Sequence, residues 1–150
     1  MISESVPSGL TAYAFRLAPG SDLRQSLLGI AARGRLKAAV VVTCVGSLTD
    51  VCLRYANRPD GASRRGHFEI VSLVGTFSET GGHFHLSVAD ELGAMSGGHL
   101  LDGSVVYTTA EVVIVELTEV QFDRHHDAAT GSNELVVTTR PWFDPLQQLL

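Results

Sequence analysis

Three histidines define the chemistry open to this chain. His83 and His85 stand two residues apart in the string Gly82-His83-Phe84-His85-Leu86-Ser87-Val88, and His99 follows Gly97-Gly98. Side chains alternate faces along a strand, so His83, His85 and Ser87 share one face and Phe84, Leu86 and Val88 the other. The apolar face is then the core side. Two imidazoles so placed lie about 7 Å apart at the backbone, close enough for both rings to converge on one ion. A loop rich in glycine can bring His99 beside them. Three neutral imidazoles with an open fourth position make a reactive, water-binding site for a divalent metal, whereas a structural zinc site usually closes with a fourth protein ligand. Zinc leads, with nickel, iron and manganese behind it. The same spacing fits a plainer arrangement, in which His83 and His85 face solvent from an edge strand and His99 is hydrogen-bonded in a turn.

Other residues offer less. Glu69 sits in His67-Phe68-Glu69-Ile70 and shares a face with His67, as a surface carboxylate or as an acid/base partner to the metal. Glu111 interrupts an apolar run and reads as a charge at a strand edge or interface. His125-His126-Asp127 looks like a ligand set, but it precedes Thr130-Gly131-Ser132 and reads as a solvated loop. Arg33-Gly34-Arg35 has the outline of a minor-groove hook, yet Leu36 stands where that motif needs proline, and helix termination explains the triplet better. No Ser-centred elbow, P-loop or dinucleotide glycine pattern is present.

The elements that must position these residues can be traced from periodicity. Thr11 to Leu17 alternates as a strand. Ser21 is a suitable N-cap for a helix whose Leu23, Leu27, Ile30 and Ala31 form one apolar stripe, and Gly34 supplies its stop. Leu36 to Val45 reads as a buried strand that Gly46-Ser47 releases into a second, Val51 to Ala56, followed by a polar loop from Asn57 to Gly66. His67 to Phe77 and His83 to Ala89 form a hairpin around Ser78 to Gly82. Leu92 to Gly98, with three glycines, reads as a loop. Two strand runs follow between Val105 and Val120, and a last short one covers Glu134 to Thr139. One main helix and about seven strands in a largely antiparallel sheet make the fold α+β. A single domain is expected over residues 1–150, with its core at about 11–139 and an apolar tail, 141–150, that packs on the core or on a neighbouring subunit.

Composition narrows the partners. The chain has 150 residues, 18% of them charged and a net charge of −5, against roughly 25% charged in ordinary soluble proteins. Low charge with a mean hydropathy of +0.18 points to surface lost in self-association. Lys37 is the lone lysine, and a mildly acidic chain lacks the clustered cations that track phosphates, so no direct nucleic acid binding is expected. Cys44 and Cys52 lie in apolar runs at a spacing that fits neither a redox pair nor a thiolate zinc site, and they read as free thiols in a reducing compartment. With no leader-like start and no apolar run of membrane-spanning length, a cytoplasmic protein is expected, with no membrane partner.

Several spaced blocks together resemble a known family. Gly82-His83-Phe84-His85-Leu86-Ser87-Val88-Ala89-Asp90, then Gly93, Gly97-Gly98-His99-Leu100 and Gly103, are similar to the PPC (plants and prokaryotes conserved) domain. Arg16-Leu17-Ala18-Pro19-Gly20 with Asp22-Leu23, Gly46-Ser47-Leu48 with Leu53-Arg54, and Phe68-Glu69-Ile70 with Ser72-Leu73 and Gly75-Thr76 agree in order, over about Tyr13 to Glu119. The resemblance implies a compact domain assembled as a homotrimer. It also implies a metal at His83, His85 and His99, as in some bacterial and archaeal single-domain members. Plant relatives carry AT-hooks and act in transcription, but the hook is absent here. Three functions follow as expectations: a trimeric metal-binding module for a small-molecule ligand or protein partner, a metal-dependent enzyme acting on a small molecule, or a DNA-associated regulator.

Overall fold

The computed structural model describes residues 7–141, so most of the apolar tail, from Trp142 onward, lies outside the described residues. Strand β1 (Leu10–Leu17) leads into helix α1 (Leu23–Gly34), and then come β2 (Ala39–Arg54), β3 (Ala62–Ser78), β4 (Gly81–Asp90), β5 (Met95–Leu100), β6 (Val105–Leu117), β7 (Val120–Asp127) and β8 (Ser132–Thr139). The α+β class holds, with eight strands where about seven were expected.

Helix α1 buries Leu23, Leu27 and Ala31 of its predicted stripe with no exposed surface, and Ile30 packs half-buried beside them. Its N-cap is Asp22, one residue beyond the expected Ser21. One carboxylate oxygen of Asp22 accepts from Gln25 N at 2.9 Å and the other from Gly103 N at 2.6 Å, a double role that a hydroxyl cannot match. At the other end Gly34 stays helical and Arg35 takes the left-handed conformation (φ 51°), so that Leu36 N can reach Ala31 O at 2.9 Å while its side chain enters the core.

Six strands form one antiparallel sheet in the order β1-β6-β2-β3-β4-β5, and β7 pairs with β8 in a separate ribbon. Strand β2 departs most from the sequence reading. Instead of two strands broken at Gly46-Ser47, it is continuous over 16 residues and bends through bulges, with Gly46 at φ 152°. The bend lets its first half pair with β6 and the end of β3, and brings its last residues, Leu53 and Arg54, against Leu100 and His99 of β5. Strands β2, β3, β4 and β5 therefore close into a ring.

Strand β5 corrects a second expectation, because Gly97 and Gly98 belong to it and not to a loop. A Cβ on Gly98 would sit 2.8 Å from the Arg54 carbonyl oxygen, and one on Gly97 2.7 Å from Ser87 Oγ. These glycines serve close approach of neighbouring strands, not a turn. Strand β3 starts at Ala62, inside the stretch expected to be a loop, and His125-His126-Asp127 ends β7, where His125 pairs with Glu134 and His126 with Asn133.

The core lies between α1 and the concave side of the sheet. Phe77 and Phe84 meet there with ring centroids 5.2 Å apart, among Leu48, Leu53, Leu86, Leu100 and Ile114. Glu111 is exposed, as a surface charge should be. The buried carboxylate is Glu116, which accepts from Lys37 N at 3.1 Å and pairs with Arg140. Its charge is met by a guanidinium and a backbone donor, as burial requires.

Candidate metal centre

Strand β4 sends Phe84, Leu86 and Val88 into the core and leaves His83 and His85 on the opposite, exposed face. Register supplies the third histidine, since His85 of β4 lies directly across from His99 of β5. Cross-strand partners share a face, so the three imidazoles meet. Ring centroids are 4.9 Å apart for His83 with His85, 4.9 Å for His83 with His99 and 5.8 Å for His85 with His99. One nitrogen from each lies within 4.8 Å of the others.

The finer geometry suits an ion. His83 Nε2 and His85 Nε2 are 3.1 Å apart. Two nitrogens bound to one tetrahedral zinc at about 2.05 Å stand roughly 3.3 Å from each other. His99 Nδ1 is buried and has no hydrogen-bond partner, the sole such side-chain atom among the described residues. Leaving a buried nitrogen unmet is costly, and coordination would satisfy it.

The surroundings favour the neutral form of His83 and His99, which is the form that ligates. Burial lowers the pKa of His99 to about 4, helped by the neighbouring His83, Arg54, His85 and Arg24. His83 is also held below the usual imidazole value, by burial first and then by His85, Arg124 and Arg54, with Glu134 opposing. Arg54 is the cross-strand partner of His99, and Arg124 donates to Thr76 O (3.3 Å) and Thr76 Oγ1 (3.1 Å), Thr76 being the cross-strand partner of His83.

Glu69 is not brought to this cluster within the chain. It pairs with Ala89, four residues along β4 from His85 and so about 13 Å away. His67 stacks on Tyr107 with centroids 4.6 Å apart. His125 and His126 are exposed on β7. Arg54, Arg124 and Thr76 escaped the sequence reading. Arg54 lay inside the expected Val51 to Ala56 strand, whose partners residue order does not name, and Arg124 preceded a presumed loop, so neither carried a signal of its surroundings.

An antiparallel α+β domain with a histidine triad on the outer face of its sheet is the class that fold and site define. The chain belongs to the Plants and Prokaryotes Conserved (PCC) domain family, whose model matches residues 4–118. It is similar to a hypothetical protein from Salmonella cholerae-suis (Salmonella enterica), at 42% identity and a TM-score of 0.89, covering 92% of this chain and all of that one. A metal-containing protein from Archaeoglobus fulgidus shares the fold at 22% identity and a TM-score of 0.74, covering 91% of this chain and 99% of that one. The Bifunctional protein GlmU of a Synechococcus strain is 41% identical over 133 residues, 88% of this chain but 21% of the relative. The chain thus spans about a fifth of the length of the curated relatives it first matches.

Proposed function

We propose that this chain is a homotrimeric domain that binds one divalent metal, zinc foremost, through His83, His85 and His99, and that it acts as a binding or regulatory module. The observation that carries the metal reading is the convergence of three imidazole nitrogens within 4.8 Å, with the buried His99 Nδ1 unmet by any hydrogen bond. The donor set fits the ion: three neutral nitrogens suit zinc and leave a position open to an outside ligand. Bound there, the ion supplies Lewis acidity toward that ligand. The β4 alternation and the β4–β5 register bring their nitrogens to within 4.8 Å of one another. The decisive measurement is elemental analysis of protein purified without a nickel column. One zinc per chain is expected; less than about a tenth of an equivalent, with none taken up on titration, overturns the reading.

The exposed surface supports the trimer. Neighbouring strands β2 and β3 leave Val42, Val45, Val71 and Val74 each between 51% and 57% exposed. Apolar residues grouped in this way favour an interface, and a closed assembly of copies covers them on every subunit. Light scattering at micromolar concentration is expected to give the mass of three chains of 16.0 kDa, and the mass of one chain sinks the assembly.

An enzymatic role is the second reading, favoured by the clefts beside His83 described below. A role on DNA is the weakest. Eleven Lys and Arg face sixteen Asp and Glu, and Arg24, Arg64 and Arg140 are committed to ion pairs with Asp102, Asp90 and Glu116. Duplex DNA is therefore expected to bind no more tightly than about 10 μM at about 0.15 M salt. A submicromolar complex that weakens steeply with added salt reverses this order of readings. Both cysteines are free, and burial pushes the Cys44 thiol up to about 11, which suits a reducing compartment and a cytoplasmic place. Among the described residues no helix is long and apolar enough to cross a membrane.

A further inference from the structure

Four arginines are half-buried, and they divide into two kinds. Arg24 is paired with Asp102 at 2.6 Å, and Arg140 is paired with Glu116. Arg54 and Arg124 have no carboxylate within 4.0 Å among the described residues, and these two flank the histidine triad, one beside His99 and the other beside His83. The acid across the ribbon, Glu134, is bonded to Thr130 Oγ1 at 2.8 Å instead. A half-desolvated guanidinium without an ion-pair partner is costly, even with Glu134 acting on Arg124 from farther off, and no carboxylate belongs to the triad either. A divalent ion would add two more positive charges to a place already cationic.

Space for a counter-charge adjoins the triad. A cleft of about 430 Å³, within the size range of small-molecule sites, is lined by Arg24, Arg124, Thr76, His125 and Asn133, together with Asp123, whose carboxylate accepts from Gln121 Nε2 at 3.2 Å. Thr76 also lines a second, more apolar cleft of about 390 Å³ that includes His83 and His85. The two share Thr76, the cross-strand partner of His83, while Arg54 lies outside both, beside His99.

We propose that Arg124 and Arg54 form, with the metal at the triad, a binding site for a small oxyanion: a carboxylate or a phosphate monoester whose charged head lies between the guanidiniums and the ion. This deepens the metal reading and rests on it for the contact with the ion. Guanidinium forks match both head groups, since each presents paired oxygens. The triad puts no carboxylate on the ion, so an anion is the ligand that electrostatics selects for the open position.

The test titrates inorganic phosphate and, separately, acetate into protein holding one zinc per chain and into metal-free protein, by calorimetry, for the parent, Arg124→Ala, Arg54→Ala and the exposed control Arg33→Ala. At least one of the two anions is expected to bind the zinc-loaded parent, and both site variants weaken it at least about 10-fold while still holding one zinc. Which anion binds more tightly assigns the head group. Because Arg124 also bonds to Thr76, its variant is checked for an unchanged melting temperature, and Arg54→Ala, which removes no hydrogen bond among the described residues, carries the result alone if that check fails. Retained zinc with no binding of either anion, or with both variants binding like the parent, overturns the oxyanion site and leaves the metal reading standing. A parent that takes up no zinc but binds an anion through Arg124 and Arg54 does the reverse.

Discussion

Replacing His83, His85 or His99 with alanine, one at a time, is expected to weaken binding of a single zinc ion at least about 100-fold and to leave the metal-free protein as stable as the parent within about 1 kcal/mol. A site cut from three protein ligands to two must complete its coordination with water and loses much of its chelation. The fold is spared because the three rings leave their strands on the face opposite Phe84, Leu86 and Val88, each of which is at most 1% exposed. Phe84→Ala, one residue from either ligand, is the opposite arm and costs about 3–5 kcal/mol. His126→Ala, exposed at the end of β7, serves as a control that changes neither quantity. Zinc affinity unchanged in the three variants, measured against a competing chelator, removes the metal centre. Unfolding of the variants in metal-free buffer makes the histidines structural.

Acidity bears on the same site with a definite sign. Ordinary imidazoles would begin to give up metal below about pH 6, as the sequence alone leads one to expect. His99, held to about 4, keeps its nitrogen free of protons well below that, so its share of the binding persists until the pH approaches 4. Refusing a proton has a cost elsewhere. Between the unfolded imidazole value of 6.5 and about 4, the unfolded chain binds a proton at this position that the folded chain does not. The metal-free protein therefore has this part of its stability above pH 6.5 and loses it as the pH falls toward 4, and the lowered His83 acts in the same direction.

What could be read from residue order was whatever depends on a regular period of apolar residues, two in a strand and about 3.6 in a helix. The alternation in His83 to Val88 assigned the core face and the histidine face correctly, because only one face of that strand is apolar. The helical stripe of Leu23, Leu27 and Ala31 was legible for the same kind of reason. Glycine misled. In β2 and β5 it marks bends and close approaches of neighbouring strands, and residue order does not distinguish such a glycine from one in a loop. Hence the pairing of Arg54 with His99 was out of sight, although both residues were in plain view. Arg124 was hidden differently, since the ribbon of β7 and β8 carries many polar residues and packs through few, Val120 and Phe122 among them. The triad could be named from its spacing and resemblance. The cations around it required the register.

Gly46→Ala is expected to destabilise the protein by about 3 kcal/mol or more, which for a chain of this size lowers Tm by roughly 6–12 °C. Gly46 adopts φ 152°, and a Cβ added there would lie 2.0 Å from the Thr109 carbonyl oxygen and 2.8 Å from Ala110 Cα. Both are backbone atoms of β6, so no side-chain rotation relieves the clash, and the conformation itself is one that residues with a Cβ rarely adopt. The site is affected as well as the fold. Upstream of this glycine β2 runs with Val40 opposite Val115; downstream, after the bend, it delivers Arg54 to His99. Straightening the strand would separate that pair while leaving His83 and His85 on β4. Folded Gly46→Ala protein should consequently lose anion binding more than zinc binding. Gly81→Ala is the comparison for glycine conformation without crowding, because Gly81 has φ 148° but nothing within 4 Å of an added Cβ, and its cost should stay near 1–2 kcal/mol. A Gly46→Ala protein whose Tm falls no further than that of Gly81→Ala would mean that β6 yields at Thr109 and that the bend of β2 is held by other residues.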